Sequence, residues 1–228
     1  MTYTGLFRVW ATVLTAILAA ILLSMAAFTT GVGAQEQPQC SGKVVLDPGH
    51  GGTDSGAVNT KYRLTEKEQT LKVAKRLEAL LEEDGCTVYM TRTSNSQTLS
   101  NNDRYTYANT TGARVLISIH MNGSTSPSTD YTTTLFGKWR KDKGLANTVF
   151  GSLSALPAAN GTGTIATRTP YSFASGVLLK SDMPATIAET VFITSDREGQ
   201  LLSNGTGARQ QQIAQALKVG IENYLTTH

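Results

Sequence analysis

The sequence predicts an α/β domain, a mostly parallel, twisted sheet covered by helices on both faces, organised as a single domain. Three observations predict it. From Lys43 onward, short apolar runs alternate with stretches of helical periodicity. The runs at 43–47 and 114–119 are almost unbroken in Val, Leu and Ile, as strands buried on both faces are. The length, 228 residues, suits one domain with a short appendage, and no internal repeat divides it.

Taken in order, the polar stretch 35–42 reads as a linker and residues 43–47 as the first strand. Residues 66–84 form a helix, with Leu71, Ala74, Leu77, Leu80 and Leu81 on one face at helical spacing. Thr65 and Glu68 are placed to make a capping box at its start, and Gly85 ends it. A strand is expected at 87–91 and a helix capped by Ser100 at 100–110. The apolar strand 114–119 belongs near the sheet centre. Residues 123–130 form a Ser/Thr/Pro loop, followed by a helix at 142–156. Residues 157–175, rich in Gly, Thr, Ala and Ser, read as a long surface loop lining a substrate groove. Strands are expected at 176–179 and 185–193, and a last helix at 208–225 turns Ile213, Leu217, Ile221 and Tyr224 inward.

The N-terminus bears on location. Residues 9–28 carry no charge, Arg8 precedes them, and Val32-Gly33-Ala34 offers the small residues that a signal peptidase reads. Residues 1–34 therefore read as a signal peptide. The run is also long enough to span a bilayer, so membrane anchoring through 9–28 is the alternative. Either way the remainder is exported, to the periplasm, the cell wall or the extracellular space. The two cysteines, Cys40 and Cys86, each precede a predicted strand. If those strands are parallel neighbours, both thiols share one sheet end. A disulfide is then expected outside the cytoplasm, with two unpaired thiols as the alternative. The net charge of +3 is mild. Lys138, Arg140, Lys141 and Lys143, interrupted by Trp139 and Asp142, read as a solvated helix start, and no nucleic-acid partner is expected.

Chemistry concentrates at few positions. Of the three histidines, His228 is terminal and expected to be disordered. His50 follows the first strand in Asp47-Pro-Gly-His-Gly-Gly52, and His120 ends the third in Ser118-Ile-His-Met-Asn122. Ligands of open parallel sheets bind beyond the strands' carboxyl ends, so both imidazoles fall on one rim. Gly49, Gly51 and Gly52 allow a tight turn and a close approach to a ligand. The spacing of a phosphate loop is absent. A catalytic zinc keeps three protein ligands and one open position, so a carboxylate would complete the set. Glu66 and Glu68, at the start of the following helix, both qualify. Glu189 stands in the apolar run 185–193, where a carboxylate is costly unless it is paired or near a metal; it reads as a general base.

These segments carry a family likeness. Val45-Leu-Asp-Pro-Gly-His-Gly-Gly52, Leu64-Thr-Glu-Lys-Glu68, Met90-Thr-Arg92, Val115-Leu-Ile-Ser-Ile-His120 with Asn122, and Met183-Pro-Ala-Thr-Ile-Ala-Glu189 with Phe192-Ile193 resemble the zinc-dependent N-acetylmuramoyl-L-alanine amidases over nearly the whole chain from Lys43 to Leu225. The resemblance implies His50, Glu66 and His120 as ligands of one Zn2+, selecting Glu66 over Glu68, and Glu189 as the catalytic glutamate. It implies a monomeric catalytic domain over 43–228. The reaction would be hydrolysis of the amide between N-acetylmuramic acid and L-alanine in peptidoglycan. Asp47 is expected to orient a ligand from behind. Thr70, Lys180-Ser181, Thr190-Val191 and Thr194-Ser195 depart from the family's usual residues; none is a proposed ligand or base, and they bear on substrate detail.

Overall fold

The computed structural model describes Cys40 and residues 42–228; the signal or anchor reading of 1–34 falls outside the described residues. The elements run β1 (Lys43–Pro48), β2 (Val58–Asn59), β3 (Leu64–Thr65), α1 (Glu66–Glu83), β4 (Thr87–Met90), α2 (Asn101–Thr110) and β5 (Val115–Asn122). There follow β6 (Thr133–Phe136), α3 (Trp139–Leu153), β7 (Tyr171–Ser172), α4 (Gly176–Lys180), β8 (Ala185–Phe192), α5 (Asp196–Ser203) and α6 (Ala208–Thr227). A six-stranded sheet has the order β4-β1-β5-β8-β6-β7, and β2 pairs with β3 in a separate small hairpin. The pairs β1–β4, β1–β5 and β5–β8 are parallel, whereas β6 runs antiparallel to β8.

Side-chain alternation explains why the strands read as unbroken apolar runs. Val44 and Leu46, with Val115, Ile117 and Ile119, join the core shared with α1, α3 and α6. Val45, Leu116, Leu135 and Ile187 point to the other face and pack with Ala108 of α2 and Val177 and Leu178 of α4. Arg209 of α6 is buried against Glu198 of α5 and donates to the carbonyl of Pro157, tying the long loop to the helical layer.

Parallel pairing of β1 with β4 brings Cys40 and Cys86 to one sheet end, where they form a disulfide with a Cα–Cα distance of 5.1 Å. The bridge spans a sequence separation of 46 residues. Reduction, or Cys40→Ala with Cys86→Ala, is expected to cost about 2–4 kcal/mol by freeing the unfolded chain. Urea unfolding checks this; an unchanged midpoint would contradict it.

Several expectations are corrected. Residues 176–179 form helix α4 rather than a strand, because β7 takes the sheet position beside β6. The Lys138 ammonium gathers the carbonyls of Leu178, Ser181 and Met183 below that helix. Thr65 makes no side-chain cap. The free N–H groups of Glu66 and Lys67 donate instead to the carbonyls of Ala57 and Ser55, so the loop replaces the capping box. His228 is ordered by stacking on Tyr224, with ring centroids 4.2 Å apart. The helix expected at 142–156 begins at Trp139 and ends at Leu153.

Candidate active site

The four chemistry-bearing residues named above meet at the carboxyl ends of β1, β5 and β8, around a cavity of about 480 Å³. His50 sits in the turn after β1, Glu66 opens α1, His120 lies in β5 and Glu189 in β8. His120 and Glu189 are register partners across the β5–β8 pair. Since β6 covers the other side of β8, Glu189 lies on an inner strand and not on an edge.

The turn carrying His50 is strained. His50 has φ 62, a left-handed conformation that non-glycine residues seldom adopt and that costs on the order of 1–3 kcal/mol. Two buried arginines hold it there. Arg92 donates to the carbonyls of Pro48 and Gly49 at 2.9 and 2.8 Å. Arg104 donates to Pro48 O and His50 O, both at 2.9 Å. Thr70 adds its hydroxyl to Gly49 O at 3.0 Å, which gives that departure from the family pattern a structural task. Gly49 must lack a side chain, because a Cβ there would stand 2.4 Å from the His120 ring.

Asp47 does not orient either imidazole. Its carboxylate accepts from Arg104 at 2.7 Å and from Thr91 and Ser118 at 2.6 Å each. Burial works against this charge, but Arg104, Ser118 and Thr91 hold its pKa below the usual value. Asp47 thus acts on the turn through Arg104. The group that does reach a ring is Asp54, which sequence reasoning missed. Its Oδ2 lies 2.8 Å from His50 Nδ1, and its Oδ1 accepts from Gly56 N at 3.0 Å. An acid four residues after a rim histidine, inside a glycine turn, was the available signal.

On the cavity side, Glu66 Oε1 lies 3.1 Å from His50 Nε2 and 3.0 Å from His120 Nδ1. The three donor atoms all fall within 4.8 Å of one another, a group able to hold a metal ion. Glu66 is fixed further by N–H donors: Ala57 to Oε2 at 2.8 Å and Met121 to Oε1 at 2.9 Å. Burial alone would favour its neutral form, but hydrogen bonds from His120 and His50 hold it ionised far below the usual carboxylate range. Two imidazole nitrogens and one carboxylate oxygen, open to a cavity, match the donor set of a catalytic zinc. Glu189 has the opposite environment: burial, opposed by His120 and reinforced by Glu66, raises its pKa. Thr190, another departure, does touch the site: its hydroxyl donates to His120 O at 3.0 Å. The far end of the long loop supplies Tyr171, Phe173 and Ser175 to the cavity wall, as expected of a groove-lining segment.

Comparison with known proteins places this arrangement. A family model described as N-acetylmuramoyl-L-alanine amidase matches residues 44–223. A curated relative, the probable cell wall amidase LytH of Staphylococcus aureus, is 31% identical over 195 residues, which is 84% of this chain. The chain spans 62% of that relative's length. Among solved structures, an N-acetylmuramoyl-L-alanine amidase from Clostridium difficile 630 superposes with a TM-score of 0.72 at 30% identity, covering 82% of this chain and 98% of the other. The CwlD amidase of Clostridioides difficile, solved in complex with the GerS lipoprotein, gives 0.71 at 25% identity over 82% of this chain and 100% of that one.

Proposed function

Because this chain belongs to the N-acetylmuramoyl-L-alanine amidase family, we propose that it is an exported enzyme that uses one zinc ion to cleave the amide between N-acetylmuramic acid and L-alanine in peptidoglycan. The observation that carries the reading is the convergence of His50, Glu66 and His120 on one side of a cavity whose wall also holds Glu189. Zinc, when bound there, would supply Lewis acidity to the scissile carbonyl and to water.

The protein's own residues do the rest. Ionised Glu66 and the two imidazoles provide the donor atoms, and the Ala57 and Met121 N–H groups fix the carboxylate. Glu189 takes the attacking water's proton on its carboxylate and returns it to the departing amine. Its raised pKa serves both halves of that shuttle. Asp54 fixes the His50 ring by its Nδ1, as an outer carboxylate does for many ligating histidines. Asp54→Ala is therefore expected to lower zinc affinity about 10–100-fold with little loss of fold stability. Competition with a chromophoric chelator measures it; an unchanged affinity would remove Asp54 from this role.

The test is incubation of the purified protein with muropeptides, with and without chelator, and mass analysis of the products. Release of a stem peptide beginning with L-alanine, abolished by chelator and restored by zinc, is expected. Cleavage of free peptides lacking the muramyl sugar would instead indicate a peptidase. We take the chain to act as a monomer on the wall, with residues 1–34 as signal or anchor. A zinc-loaded, folded protein that releases nothing would call for an activator.

A further inference from the structure

We propose that the surface around Trp139, at the amino-terminal end of the parallel strands, is a docking surface for a bilayer bearing anionic phospholipid headgroups. The catalytic rim lies at the carboxyl ends of the parallel strands. Because β6 runs antiparallel to β8, with Thr133 opposite Glu189 and Leu135 opposite Ile187, the segment leading into α3 lies toward the start of β8, where Asp142 accepts from Ala185 N. Trp139 is 63% exposed, more than any other large apolar side chain among the described residues. Leu179, 45% exposed, reaches the same spot, since a Cβ on Gly137 would stand 3.2 Å from its Cδ2. Around this pair lie Arg140, Lys141, Lys143 and Lys180, with the Lys143 ammonium 3.7 Å from the Trp139 ring centre.

Folding alone gives no reason for this composition. Cations in the first turns of α3 oppose the helix dipole, which favours acids there. The one acid of that turn, Asp142, is buried and spent on the N–H groups of Gly137, Lys138 and Ala185. Asp182 is an exposed acid beside the patch, and the C-terminal His228 lies near Gly144; Glu82 and Glu83 end α1, which packs, like α3, against α6. An indole and a leucine ringed by cations suit the headgroup layer, where the ring enters the interface and the cations meet phosphate. The chain also joins the domain at this end. Cys40 is tied beneath β4, and β1 stands three strand spacings from β6, about 15 Å. Cys40, bonded to Cys86 just before β4, therefore lies at the same end of the sheet as this surface.

The experiment uses residues 38–228, which form a compact unit of their own. Trp139 is the sole tryptophan of that unit, Trp10 lying outside it. Its fluorescence is followed while phosphatidylcholine vesicles, with or without phosphatidylglycerol, are added. A blue shift and co-sedimentation with the phosphatidylglycerol vesicles alone, reversed by salt, are expected. Arg140→Glu with Lys180→Glu, neither side chain holding another part of the fold, should weaken binding by about thirtyfold or more, at an unchanged thermal midpoint. Trp139→Ala should weaken it while leaving the salt dependence in place. No shift, equal binding to neutral vesicles, or binding indifferent to the Glu substitutions would overturn the proposal. So would capture by soluble polyphosphate with no response to vesicles, which would point to an anionic wall polymer. None of these readouts depends on the hydrolytic activity.

Discussion

Glu189→Gln is expected to lower turnover on muropeptides by about 10²–10⁴-fold while leaving the protein folded and able to take up zinc. The substitution keeps the shape of the side chain and removes only its capacity to accept and return a proton. Among the described residues no hydrogen bond or ion pair ties the Glu189 carboxylate, so the amide breaks nothing structural. Burial already disfavours the charge at this position, so the thermal midpoint should hold or rise slightly. Metal content and turnover, measured on the same preparation, separate the outcomes. Turnover within about threefold of the parent, well short of a general-base effect, would sink Glu189 as the proton shuttle. Lost zinc would instead assign it to the metal's coordination.

His120→Ala is expected to abolish both metal retention and activity. The ring supplies one of three donors, and its loss leaves Glu66 and His50 alone against water. The effect on affinity should exceed the roughly 100-fold that removal of an outer partner such as Asp54 costs. Chelation of the parent should reproduce the inactivity, and zinc should rescue the parent but not the variant. Elemental analysis after dialysis reads the first half and product release the second. A variant that keeps stoichiometric zinc would show that the ion sits elsewhere on the rim.

Much of this site was legible because strand-end placement converts sequence position into spatial position. His50 and His120 each follow a run that could only be a buried strand, and parallel strands bring their carboxyl ends to one rim. Glu189 stood out against an apolar run. What stayed hidden depends on contacts between distant segments. Arg92, Arg104 and Thr70 hold the His50 turn through main-chain carbonyls, and a carbonyl has no signature in sequence. Strand β6 escaped notice because the polar Thr133 and Thr134 carry no apolar pattern, although both are buried. Residues 176–179 form a short apolar run, for which helix and strand cannot be told apart by pattern; competition with β7 for the sheet edge decides it. Helix α5 is short and polar; its start was written in Ser195 and Glu198, the spacing of a capping box, but no apolar periodicity followed to mark a helix.

The order of the strands in space also sets a timetable. His50, Glu66 and His120 all precede β6 in the chain, and β4 and β5 can each pair with β1 without the rest. Glu189 arrives on β8, which must slot between β5 and β6 and so waits for chain that emerges much later. A chain that folds in the order of its synthesis therefore brings its candidate metal donors together well before the proposed base is in place, and topology alone separates the two halves of the site in time.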